Sequence, residues 1–224
     1  MPVLMPDDGL LTVLNIFSTD SVGDQLRLIG VMRDVIDRAD YPGWVSSTLH
    51  EDVLSPGSAN LIQWRSREDM EARNATDEAF RHRELPIFRE LAVTMRLLQT
   101  SVIHTSTPEG RNTEIPLDGD ATGCTVIELA RCRDEDLAPL LEALRHRADR
   151  HSGVPGCRGS AVLRGVGTAS FDGAFAVHYG RWDSLEAWRR MCHEEHTSDD
   201  RVAQFSTDRE VSAYQVIHAR SAEA

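Results

Sequence analysis

The sequence predicts an α+β protein made of two tandem ferredoxin-like (βαββαβ) domains, arranged as in a dimeric α+β barrel. Three observations predict it. An internal repeat lays Leu11–Gly43 on Cys124–Gly156 without a gap, with the hydrophobic pattern shared throughout. Each copy alternates between strand-like and helix-like periodicity in the order strand, helix, strand, strand, helix, strand. A stretch containing Pro108, Gly110, Pro116 and Gly119 separates the copies, which sets the boundaries at 1–106 for the first domain, 107–123 for a linker and 124–224 for the second. The apolar faces of the two sheets are expected to pack on each other, a pairing that fusion makes intramolecular.

The elements follow in order. Leu11-Thr-Val-Leu-Asn-Ile-Phe17 and its counterpart Cys124-Thr-Val-Ile-Glu-Leu-Ala130 are rich in β-branched residues and read as first strands. Helical spacing then takes over, at Leu26, Ile29, Gly30, Arg33 and Ile36, and at Leu137, Leu140, Leu141, Leu144 and Ala148. Asp20 or Ser21, and Asp134, are the expected N-caps, since their side-chain oxygens can accept the free amides of a first turn. Pro42-Gly43 and Pro155-Gly156 turn the chain. Hairpins come next, from Trp44–Glu51 with Asn60–Trp64 and from Arg158–Arg164 with Phe175–Trp182; Ser55-Pro56-Gly57 and Gly165–Gly173 make their turns. Polar helical regions are expected at Ser66–Ala72, from Asp77 to about Gln99, and from Ser184 to about Gln204. The last strands are Ser101–Thr105 and Tyr214–Ala219.

Composition narrows the function. A hydrophobic content of 41% with 27% charged residues is that of an ordinary globular chain. A formal charge of -12 and a pI near 5.1, with no basic stripe, argue against nucleic acid. No stretch reaches the ~20 apolar residues of a membrane helix. Pro2, Pro6, Asp7 and Asp8 do not form a secretion signal, so a cytoplasmic location is expected. The four cysteines (Cys124, Cys132, Cys157, Cys192) have no CxxC pair or framework spacing and are expected to be reduced thiols.

One constellation carries chemistry. Asn15 on the first strand, and Asn60 with Trp64 on the third, can face one cavity, because a spacing of four keeps a strand residue on the same face. His50 lies across the hairpin from them. Two carboxamides, an imidazole and an indole suit a planar ligand with phenol or quinone oxygens. The bland readings are amides that satisfy strand-end backbone, a core Trp64 like its counterpart Trp182, and a His50 exposed on a hairpin. His193 and His196 stand one helical turn apart, but a solvated helix face explains them as well as a metal does.

The stretch from Gly43-Trp-Val-Ser-Ser-Thr-Leu-His50 through Asn60-Leu-Ile-Gln-Trp64-Arg-Ser resembles the antibiotic biosynthesis monooxygenases. Asn15, His50, Asn60 and Trp64 match positions that the family's anthrone oxygenases place at the substrate. The tandem arrangement resembles the ring-opening oxygenases of angucycline pathways. The resemblance implies oxygenation of an aromatic polyketide intermediate by O2, with no bound metal or haem. In this mechanism His50 is the base, and Asn15 and Asn60 stabilise the oxyanion. Ring-opening members would instead draw on reduced flavin as a co-substrate, with a flavin reductase as partner; homodimers are a further expectation. Met70 stands where the family has an aromatic residue, and with His82, His178 and Trp182 it completes the expected substrate-binding set. The second copy carries Glu128, Leu163 and His178 where the first has Asn15, His50 and Asn60, so it reads as a degenerate partner domain. A polyketide cyclase of the same barrel fold, a haem-degrading relative and a non-catalytic binding module are the alternatives.

Overall fold

Eight alternating strands close on themselves, each half supplying four. In the computed structural model, which describes residues 1–78, 80–119, 122–195 and 201–222, the first half contains β1 (Val3–Leu4), β2 (Leu11–Thr19), α1 (Val22–Asp37), β3 (Trp44–Asp52), β4 (Gly57–Trp64), α2 (Arg67–Thr76), α3 (Leu85–Leu91) and β5 (Ala92–Thr107). Two short strands, β6 (Gly110–Arg111) and β7 (Ile115–Pro116), lead into β8 (Cys124–Cys132), α4 (Leu137–Ser152), β9 (Cys157–Thr168), β10 (Ala174–Trp182), α5 (Leu185–Glu195), α6 (Arg201–Phe205) and β11 (Asp208–Ser221). Neighbouring strands run β5-β2-β4-β3 in the first half and β11-β8-β10-β9 in the second, every pair antiparallel.

The two four-strand sets meet edge to edge. β3 hydrogen-bonds to β11 and β5 to β9, which closes the expected α+β barrel through paired strand edges. Closure removes the unpaired edges that a four-stranded sheet leaves exposed. Inward residues at period two, among them Leu14, Leu61, Leu129, Leu163, Val177 and Tyr179, fill the interior. The outward face packs on helices: Phe17 and Leu49 meet Leu28, Met32 and Ile36 of α1 and Phe88 of α3, and α4 covers Ala130, Val162 and Ala176.

Three expectations change here. The helix expected from Asp77 to about Gln99 ends at Leu91, and Ala92 already begins β5. From there the backbone pairs with β2 on one side and, from Leu98, with β9 on the other, a saturation that outweighs helix propensity. Part of the expected linker is built into the fold: β7 pairs with β1, and Ile115 and Leu117 join Leu4 in the barrel core. Ser21 caps α1 by accepting the Asp24 amide at 3.1 Å, whereas Asp134 begins a 3-10 turn ahead of α4 and caps nothing. Among the described residues no helix is long and apolar enough to cross a membrane, and all four cysteines are unbridged.

Candidate active site

Strand pairing puts the two amides side by side. Asn15 of β2 lies directly opposite Asn60 of β4 on the outward face, where facing Cβ atoms stand about 4.5–5.5 Å apart. Four residues along β4, Trp64 shares that face and packs with Trp44, Val13, Ala39 and Met70 of α2. These side chains line a cavity of about 510 Å³ between the barrel and helices α1, α2 and α3. Phe17 and Phe88 form one wall, ring centroids 6.0 Å apart. Tyr41 lies 6.3 Å from Trp64, their rings inclined at 33°.

The roof is tied together by charge. The Arg73 guanidinium sits 3.9 Å from the Phe80 ring centroid and 5.0 Å from that of Tyr41, and pairs with Asp77 at 3.2 Å. Tyr41 donates its hydroxyl to the same carboxylate at 2.8 Å. Burial works against the Asp77 carboxylate, but the Phe80 amide, the Tyr41 hydroxyl and the Arg73 and Arg38 charges together hold its pKa below the usual range. Phe80 and Arg81 belong to a single π-helical turn, Phe80–Glu84, a geometry that recurs at functional sites. Arg81 and Arg89 add to the lining, as do Thr168 and Ala169 at the end of β9, so the second half closes part of the first-half cavity. Among the described residues that line it are three arginines and no Asp, Glu or His.

Two polar atoms of the lining residues have no hydrogen-bond partner. Asn60 Oδ1 and Gln99 Oε1 are buried and accept no hydrogen bond. An orphaned acceptor is unfavourable unless a ligand or water completes it, and exchanging the ends of the Asn60 amide would offer a donor from the same place.

His50 is the principal correction. It is fully buried on the inward face, its Nε2 2.8 Å from Tyr179 Oη and its Nδ1 3.2 Å from the Ala59 carbonyl oxygen. The cause is a β-bulge between Trp44 and Ser46, which shifts the alternation of β3 by one residue. Leu49, not His50, therefore lies opposite Asn60, and His50 faces the barrel core. Burial first, then the Arg181 charge, lowers its pKa to about 3.

The secondary residues divide as well. Met70 lines the cavity as expected. His82 does not: the middle of the π-helical turn holds it exposed. His178 and Trp182 are buried on the outward face of the second half and line a different cavity. His196 lies outside the described residues, and no group of three or more His, Cys, Asp or Glu is placed to hold a metal among the described ones. The sequence reading missed Tyr41, Arg73 and Phe80. For Arg73 a signal existed, since it stands one helical turn from Met70 in α2.

Comparison with known proteins adds to this geometry. No protein-family model and no curated protein matches the sequence. Among solved structures, an anthrone oxidase-like protein is 36% identical and superimposes with a TM-score of 0.93, over 98% of this chain and 96% of that one. A candidate monooxygenase of Fusobacterium nucleatum subsp. nucleatum is 7% identical with a TM-score of 0.62, over 95% of this chain and 94% of its own. Another from Lactobacillus acidophilus is 8% identical with a TM-score of 0.55, over 96% and 100%. These two show a shared fold and nothing finer.

Proposed function

The chain belongs to the anthrone oxidase-like proteins, and from that premise we propose that it is a monooxygenase that oxidises a planar aromatic polyketide intermediate of antibiotic biosynthesis, anthrone- or angucycline-like, with O2. The reading rests chiefly on one observation: an apolar, aromatic-walled cavity lined by two adjacent amides and three arginines, with no acidic side chain among its described lining residues. Such a lining favours an anionic ligand, because the cationic surroundings lower the cost of its charge.

Activation then consists in holding the substrate as its enolate. The phenolic or enolic oxygen accepts from the amide Nδ2 of Asn15 and Asn60, while Trp64 and Phe17 flank the ring. Arg73 supplies fixed positive charge in the roof and is pre-oriented by Asp77 and Phe80. The proton leaves to solvent, not to His50. The electron-rich carbon passes one electron to O2, and the two radicals combine to a carbon-bound peroxide. With a methylene carbon, that peroxide takes up a proton and loses water to leave a carbonyl, so one O2 yields one quinone oxygen and one water. The donor set of amides, indoles and guanidiniums is unsuited to binding a metal. Reduced flavin, delivered by a reductase, belongs only to the ring-opening version of the reaction. We read the two halves, 1–106 and 124–224, as a tandem pair of ferredoxin-like units.

The test is oxygen uptake by the purified chain with an anthrone, followed by mass spectrometry of the product made under ¹⁸O2. One labelled oxygen per quinone is expected. An anthrone that binds yet is consumed no faster than in buffer overturns the oxygenase reading. Ring closure of a poly-β-keto chain without oxygen uptake would replace it with a cyclase.

A further inference from the structure

The second half has a cavity of its own at the register that matches the first. Glu128 of β8 lies opposite His178 of β10, as Asn15 lies opposite Asn60, and Trp182 pairs with Cys124 as Trp64 pairs with Leu11. Outside this floor, helices α4, α5 and α6 border a cleft of about 730 Å³, within the ~300–1,000 Å³ common for small-molecule sites. Arg147, Trp188 and Met191 contribute to its walls.

The polar groups of this floor have separate roles. Both Glu128 oxygens are engaged, Oε2 by Arg147 Nη1 at 2.7 Å and Oε1 by Arg209 Nε at 2.6 Å, so this carboxylate ties α4 to the barrel and links the neighbouring strands β8 and β11. His178 is only 4% exposed, and its Nε2 is buried on the cavity lining with no hydrogen-bond partner. Its ring is held edge-on to His151, centroids 5.4 Å apart, a contact that fixes orientation and leaves Nε2 unsatisfied. Burial first, then the charges of His151, Arg147 and Arg209, keep the imidazole neutral, so Nε2 can either donate or accept. A buried imidazole nitrogen without a partner, on a residue that lines an indole-containing cavity, is a polar group whose missing hydrogen bond a ligand can supply.

We infer that this cavity is a second ligand site, for a planar aromatic molecule bearing a phenol or quinone oxygen, hydrogen-bonded by His178 Nε2 and packed against the indoles of Trp182 and Trp188. The ligand class rests on the function proposed for the first cavity, whereas the site itself rests on His178 and its surroundings. One chain thus holds two aromatic molecules, one in each half, and the second half is a binding unit as well as a structural partner.

Calorimetric titration of the full chain with 1,8-dihydroxyanthraquinone tests this. Two molecules per chain are expected for the unaltered protein. His178→Leu should reduce this to one, as should Trp188→Ala, which sits on α5, is only partly buried, and serves if the His178 variant fails to fold. In each case Asn60→Ala should weaken the remaining site at least tenfold. A single site that Asn60→Ala abolishes and His178→Leu leaves intact overturns the second site while sparing the first-cavity reading. A single site with the reverse response supports the second and overturns the first. Absence of any binding overturns the shared ligand class.

Discussion

The two cavities occupy the same strand register in the two halves and are built from opposed chemistry. At the first, adjacent amides face a space whose described lining holds three arginines and no acid. At the second, the corresponding position is a carboxylate clamped by two guanidiniums beside an imidazole. Under the proposed function, the difference teaches that one strand position serves a ligand in one half and holds the fold in the other, depending on whether the polar atom has a partner.

The sharpest way to break that comparison is to remove both members. Glu128→Ala leaves Arg147 and Arg209 without their shared carboxylate and is expected to cost about 3–5 kcal/mol in chemical denaturation, whereas Asn15→Ala should stay within about 1 kcal/mol. Equal costs would mean that both positions are structural. Next in size is catalysis: Asn60→Ala should lower kcat/KM in the oxygen-uptake assay about 10²-fold with little change in denaturation midpoint. Turnover that survives this substitution would remove Asn60 from the site.

A third comparison concerns the two Pro-Gly turns. Gly43 has φ +77°, and an added Cβ would lie 2.2 Å from Asp69 Cγ, a side chain engaged with Ser66 at the N-cap of α2. Gly156 has φ +90°, and its Cβ would press on the Ala187 methyl at 2.8 Å, with Asp183 Oδ2 in ordinary contact at 3.8 Å. Gly43→Ala should therefore destabilise by about 2 kcal/mol and Gly156→Ala by less, measured as thermal midpoints.

The smallest effect at neutral pH separates a buried His50 from a catalytic one. His50→Phe should keep turnover and lose about 1 kcal/mol with the Tyr179 hydrogen bond. Its folded pKa of about 3 lies below the unfolded value near 6.5, so between these the unfolded chain binds the extra proton. Stability is therefore present above pH 6.5 and falls as pH drops toward 3, by up to about 1.4 kcal/mol per pH unit; His178 acts in the same direction. The variant should show a shallower acid limb, and an unchanged limb would mean that His50 is charged in the fold.

How much of this was legible varied with the range of the interaction. That Asn15, Asn60, Trp64 and Met70 share one cavity followed from spacing and resemblance, because four-residue spacing on a strand and a following helix are local facts. His50 was misplaced because one bulge at the start of β3 reverses every later side chain, and a bulge is chosen by the pairing partner. His178 and Trp182 were assigned to the wrong cavity because their strand position says which face they share, but not which helices cover it.

The sequence by itself determined the repeated strand and helix order, the Pro-Gly turns and the pair of amides, since each depends on residues within a few positions of one another. Only the tertiary structure decided which strand edges join the halves into the barrel, that β5 starts at Ala92, that Thr168 and Ala169 reach the first cavity, and that His50 turns inward. Those outcomes depend on which distant backbone satisfies which, a competition that no local window of the chain contains.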